Sequence, residues 1–187
     1  MKPGSILRIS GALAALALML ALNVPFVAAQ TADSKQISSL LSEAQHHADL
    51  AEDDASTLQG FTRSKLSWQT HGKQLELMKA HVNDLGKVTK QLNDLRSEGS
   101  PWQQEAIDQI NPLLQDMADH LTATMNHLNE NQNRVHMPAY QDYVHGNHEL
   151  ANKTVQAIKD FVDYDKAKSQ SQALEQKLEL PAVNEGA

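Results

Sequence analysis

The residues of this chain that are best suited to bind a metal or a cofactor are its histidines and methionines. Two histidines follow a methionine by three positions, in Met78–His81 and Met117–His120. On a helix this spacing puts both side chains on one face. Thioether and imidazole together suit copper, Cu⁺ especially, and the same pair can supply the axial ligands of haem iron. The nine histidines are residues 46, 47, 71, 81, 120, 127, 136, 145 and 148.

Antiparallel helices with turns near residues 63, 98 and 134 would bring several of these side chains to one level. Residue 47 then lies level with about 80, residue 80 with about 118, and residue 120 with about 148. One hypothesis is therefore a metal-binding layer, for copper or zinc, with haem as a further possible cofactor. Its members are His47, Met78, His81, Met117, His120 and His148. The favoured interpretation is that the methionines fill the core and the histidines bond neighbouring helices, with the metal-binding layer as its alternative.

The sequence has few other patterns of catalytic or metal-binding residues. A di-iron bundle site needs two Glu-x-x-His motifs, whereas Glu43–His46 matches once and Asp142–His145 is only an aspartate relative. No Gly-rich phosphate loop or nucleophile elbow accompanies His71 or His127, either of which could act as a base. Cysteine is absent, which excludes thiol nucleophiles, thiolate metal sites and disulfides. We expect a protein that is not an enzyme.

The elements that would position these side chains are helices. Apolar residues recur at helical spacing in four segments, and strand-like alternation is not convincing anywhere. The fold class is therefore all-α, an elongated antiparallel four-helix bundle with up-down-up-down order. Ser100-Pro101 is typical of a helix start, and Pro112 is expected to kink the third helix. The predicted helices are 34–61, 65–96, 101–128 and 138–164.

The N-terminus has the pattern of a secretory signal peptide over residues 1–29. A basic start precedes an apolar run, and small residues precede the expected cleavage between Ala29 and Gln30. The mature chain would comprise a bundle domain over 30–165, a polar helical extension over 166–180 and a disordered tail over 181–187. An uncleaved anchor is the alternative interpretation of the leader. We expect an exported protein, periplasmic or secreted, without stable membrane insertion after cleavage.

The net charge argues against nucleic acid as a partner. The chain has a formal charge of −7, and the leader holds two basic residues and no acidic one, so cleavage leaves −9. An acidic surface repels polyanions. Several core-facing positions are alanine, threonine or histidine, so a thin core leaves room for a homodimer or an envelope protein partner. The predicted function is a non-catalytic interaction or structural component of the cell envelope, with metal or haem binding as the alternative.

Overall fold

The computed structural model describes residues 32–178, and these form a bundle of four α-helices without strands. The prediction of an all-helical bundle is confirmed. The predicted signal peptide, its cleavage site at Ala29 and Gln30, and the tail over 181–187 lie outside the described residues. The helices are α1 (Lys35–Phe61), α2 (Trp68–Asp94), α3 (Pro101–Glu130) and α4 (Pro138–Leu178), with short 3₁₀ turns at Arg96–Glu98 and Gln132–Arg134.

Side chains at the helix starts explain where three of the helices begin. The hydroxyls of Ser34 and Ser67 accept hydrogen bonds from backbone N–H groups in the first turns of α1 and α2. At α3 the backbone N–H of Ser100 donates to Gln103 Oε1 at 3.1 Å, and Pro101 occupies the first turn. These contacts satisfy N–H groups that have no partner inside the helix.

Each helix packs mainly against two others: α1 and α3 each contact both α2 and α4. Small side chains line much of the buried face of α1. They are Ala44, Ala48, Ala51 and Ala55. Small side chains let helix axes approach closely. On the flank of α1, Asp54 accepts a hydrogen bond from Gln74 of α2.

Two polar contacts tie the start of α1 to other helices. The buried Gln103 side chain accepts from the Ser34 backbone N–H and donates to the Ser34 carbonyl, both at 2.9 Å. Asp33 accepts from the Trp102 indole at 2.8 Å and pairs with Lys168 at 3.0 Å. The part of α4 beyond residue 165, predicted as a polar extension, is helical as far as Leu178.

No helix among residues 32–178 combines the length and the apolar character needed to cross a bilayer.

Candidate metal centre

Two of the six predicted metal ligands meet at the contact between α1 and α2. His47 lies on α1, and His81 lies on α2 together with Asp84. One ligand atom from each of these three residues lies within 4.8 Å of the other two. In the part of the chain that the structure describes, this is the one group of three His, Asp or Glu side chains so arranged. Sequence analysis missed Asp84, although its position three residues after His81 puts both on one helix face.

The other two predicted histidines have different neighbours. His120 Nε2 lies 2.9 Å from the backbone oxygen of Tyr143, so this nitrogen donates to α4. His148 lies 3.6 Å from a carboxylate oxygen of Glu52 and 3.0 Å from the Asn152 amide. Neither residue belongs to the group around His47, and each contacts groups on α1 or α4.

The two predicted thioether ligands are fully buried in the hydrophobic core. Met78 and Met117 have no exposed surface, and both belong to the main core cluster. In that setting they fill space as flexible apolar side chains. Metal binding by the six-residue layer stays a prediction, and the structure groups only His47 and His81 of the six with a further acidic residue.

At the α1–α2 contact, two imidazole nitrogens and one carboxylate oxygen are buried without a hydrogen-bond partner. They are Nδ1 of His47, Nδ1 of His81 and Oδ2 of Asp54. Only Asn147 Oδ1 on α4 shares this condition among the described residues. A buried polar atom without a partner costs free energy, so three of them at one contact mark a place where a bound ion would relieve that cost.

Two acidic side chains, Asp54 and Asp84, lie beside the histidines, and Asp84 is also paired with Lys87. Asp54 Oδ2 lies 3.6 Å from His81 Nε2, and the pKa of Asp54 is raised mainly by burial, against the lowering effects of His81 and Gln74. Asp84 has a lowered pKa because Lys87 donates a hydrogen bond to it at 2.7 Å. The side chains of His81 and Asp84 are 28% and 41% exposed, whereas the Nδ1 atoms of His47 and His81 are buried.

Two imidazoles and a carboxylate match the three protein ligands of an open zinc site. Tetrahedral Zn²⁺ with bonds of about 2.1 Å holds its ligand atoms roughly 3.4 Å apart. From separations of up to 4.8 Å, small rotations of these partly exposed side chains would complete such a site. The fourth position would be left to water.

The remaining chemistry-bearing residues have structural surroundings. His71 is buried, and its Nδ1 lies 3.1 Å from the Tyr140 hydroxyl, with the Phe61 ring edge-on at 5.6 Å between centroids. His127 packs on the ring of Tyr143 at 4.7 Å. Glu43 and His46, the one complete Glu-x-x-His motif, are exposed.

A separate apolar groove lies between the first half of α2 and the last turns of α3. Its volume is about 570 Å³, and Trp68, Leu75, Leu77, Met125 and Leu128 contribute to its walls. Leu77 is 53% exposed there.

Comparisons with protein-family models, with characterised proteins and with solved structures gave no significant match.

Proposed function

We propose that the protein is exported to the periplasm or beyond, and that it acts there without catalysis in the cell envelope. The support for export is the leader over residues 1–29, with its basic start, apolar run and small residues before Gln30. The support for a non-catalytic role is that the buried histidine, His71, bonds a core tyrosine and not a nucleophile.

We further propose the up-down-up-down order and an elongated shape. Contacts between neighbouring helices support the order. In each pair, residues late in one helix contact residues early in the other, as in antiparallel helices. Gln74 bonds Asp54, whereas Asp84 groups with His47. The contacts Asn93–Asn111 and Gly72–Leu128 give the same order for α2 and α3. For α3 and α4 they are His127–Tyr140 and Trp102–Tyr164, and for α1 and α4 they are Gln59–His145 and Asp33–Lys168.

Mass measurements test both the proposed export and the formation of the predicted homodimer. Protein recovered from outside the cytoplasm should have the mass of a chain that begins at Gln30, because the peptidase removes the leader after Ala29. Sedimentation of that mature chain should give twice this mass if a homodimer forms along the thin bundle. A chain that keeps its leader, or that remains in the cytoplasm, would contradict export. A single-chain mass at tens of micromolar would contradict the dimer.

The function that the geometry supports best is the binding of a transition-metal ion between α1 and α2. The observation that carries it is the convergence of His47, His81 and Asp84 within 4.8 Å. The unpartnered ring nitrogens of both histidines support the same conclusion. A ligand set of two imidazoles and one carboxylate fits Zn²⁺ or Cu²⁺, whereas Cu⁺ and haem iron would draw on the thioethers, which are buried in the core.

Calorimetric titration of the mature protein with Zn²⁺ and with Cu²⁺ tests this proposal, with haemin as a third ligand. One ion per chain should bind and should raise the melting temperature. His47→Ala and His81→Ala should each lower the affinity at least tenfold, because each removes one of three ligands. His46→Ala is the matched control, since this exposed histidine is adjacent in sequence but outside the group.

The absence of stoichiometric binding by the wild-type chain would refute the proposal. Equal losses in His46→Ala and His47→Ala would also refute it, because the ion would then be held by histidines at the surface in general. Binding of haemin without binding of Zn²⁺ or Cu²⁺ would support haem binding as the function instead.

A further inference from the structure

We propose that Asp54 is a positioning residue for the metal site: its carboxylate holds His81 so that the ring presents Nδ1 to the ion. This inference rests on the proposed metal-binding function. It adds a role for a second α1 residue, outside the three ligands, and it assigns one particular nitrogen of His81 as the ligand atom.

The two ring nitrogens of His81 have different surroundings. Nε2 lies 3.6 Å from Asp54 Oδ2, within ion-pair distance and slightly beyond a hydrogen bond. Nδ1 is buried and has no hydrogen-bond partner. A carboxylate beside Nε2 favours a proton on that nitrogen, which leaves the lone pair of Nδ1 free. The nitrogen without a partner is therefore the one that is ready to bind a cation.

Asp54 is itself held in place from α2. The Gln74 amide donates to Asp54 Oδ1 at 2.7 Å and to the Asp54 backbone oxygen at 3.2 Å. Gln74 is 9% exposed and Asp54 only 16%, so solvent competes weakly for these bonds. With Oδ1 occupied by Gln74, Oδ2 has no hydrogen-bond partner and faces His81. The arrangement leaves one carboxylate oxygen for one imidazole N–H.

Carboxylates that accept the second N–H of a metal-bound histidine fix the orientation of the ring and increase its basicity. Binding of an ion at Nδ1 would draw positive charge onto the ring and strengthen the bond from Nε2–H to Asp54. Both unpartnered atoms, His81 Nδ1 and Asp54 Oδ2, would then be satisfied at once.

The test compares Zn²⁺ affinity in Asp54→Asn with that in Asp53→Asn. Asp53 is the exposed neighbour, so its substitution removes the same charge without touching His81. Asp54→Asn should weaken binding about 10- to 100-fold while one ion per chain still binds. Asp53→Asn should change the affinity less than threefold. Asp54→Glu should restore part of the loss, because a carboxylate is again within reach of Nε2.

A spectroscopic measurement separates positioning from general structural support. In ¹⁵N-labelled wild-type protein with Zn²⁺, His81 should coordinate through Nδ1, and its Nε2 proton should be visible, shifted downfield and slow to exchange. In Asp54→Asn that proton signal should move upfield or disappear. If Asp54→Asn does not fold, Gln74→Met provides the second test, since it releases Asp54 without changing any charge, and it should weaken Zn²⁺ binding severalfold.

Three results would overturn the inference while leaving metal binding intact. They are coordination of His81 through Nε2, unchanged affinity in Asp54→Asn, and complete loss of stoichiometric binding in that variant, which would make Asp54 a direct ligand. A wild-type chain that binds no ion is a distinct result, because it refutes the proposed function itself.

Discussion

At the scale of single residues, the contrast between His81 and His120 shows what decides whether a histidine is available to a ligand. His120 donates from Nε2 to the Tyr143 carbonyl, so its ring is engaged in joining α3 to α4. His81 keeps Nδ1 buried and unpartnered. Both residues follow a methionine by three positions, and nothing in that spacing distinguishes them. The distinction arises from the helix that each one faces.

Gly146 is the residue that allows His120 to approach α4. A Cβ atom at this position would lie 2.4 Å from His120 Nε2. Gly146→Ala should therefore push the ring away, break its bond to Tyr143 and destabilise the fold by about 1–3 kcal/mol. Urea unfolding monitored by circular dichroism measures this change.

The matched control is Gly86→Ala on α2, where a Cβ meets nothing within 4 Å. This substitution should stabilise the protein by about 0.5–1 kcal/mol, because alanine loses less backbone freedom in a helix. Equal effects of the two substitutions would mean that the close approach of His120 has no energetic weight.

At the scale of helices, the apolar spacing was a good guide where the side chains are purely apolar. The predicted first helix, 34–61, and the observed Lys35–Phe61 differ by one residue at the start. The second helix was predicted over 65–96 and is shorter, Trp68–Asp94. Its start is set by the hydroxyl of Ser67, which accepts from the Thr70 backbone N–H. Apolar periodicity carries no information about such a cap.

Polar residues at core positions could not be predicted from the same spacing. His148 belongs to the predicted layer, but its side chain is 23% exposed, whereas the adjacent Asn147 is fully buried and donates to Thr124 at 2.6 Å. An asparagine is stable in a core only when a partner on another helix meets it. That partner depends on the rotation of α4 against α3, which a single sequence does not fix.

The candidate metal group between α1 and α2 could be predicted only in part, again because the rotation of each helix is not fixed by the sequence. The antiparallel register placed residue 47 level with about 80, and the structure does bring His47 and His81 together. The register could not indicate which sides of the helices face the core and which flank it. Met78 points into the core, whereas His81 lies at the flank and meets the acidic side chains of α1 and α2. In place of a layer across the whole bundle, the structure therefore offers a candidate site on one helix pair.

At the scale of the whole molecule, a group of polar contacts at one end of the bundle makes its stability depend on pH. Asp33, Trp102 and Lys168 join the start of α1 to α3 and to the far part of α4. Burial opposes ionisation of Asp33, but hydrogen bonds from Ser100, Lys168 and Trp102 outweigh it and lower the pKa of this carboxyl. This contribution to stability is present above the ordinary pKa of aspartate and is lost as the pH falls through the lowered value.

His71 makes the stability of the whole fold depend on pH in a higher range. Burial lowers the pKa of His71, so the native state keeps the ring neutral while the unfolded chain takes up a proton below about pH 6.5. Stability from this residue is therefore complete above that pH and declines below it, by at most about 1.4 kcal/mol per pH unit, until the lowered native pKa is reached. Urea unfolding at pH 7.0, 6.0 and 5.5 should show this decline in the wild type, and His71→Gln should show a shallower one. His136→Gln, at an exposed position, should keep the wild-type slope, and an unchanged slope in His71→Gln would contradict the assignment.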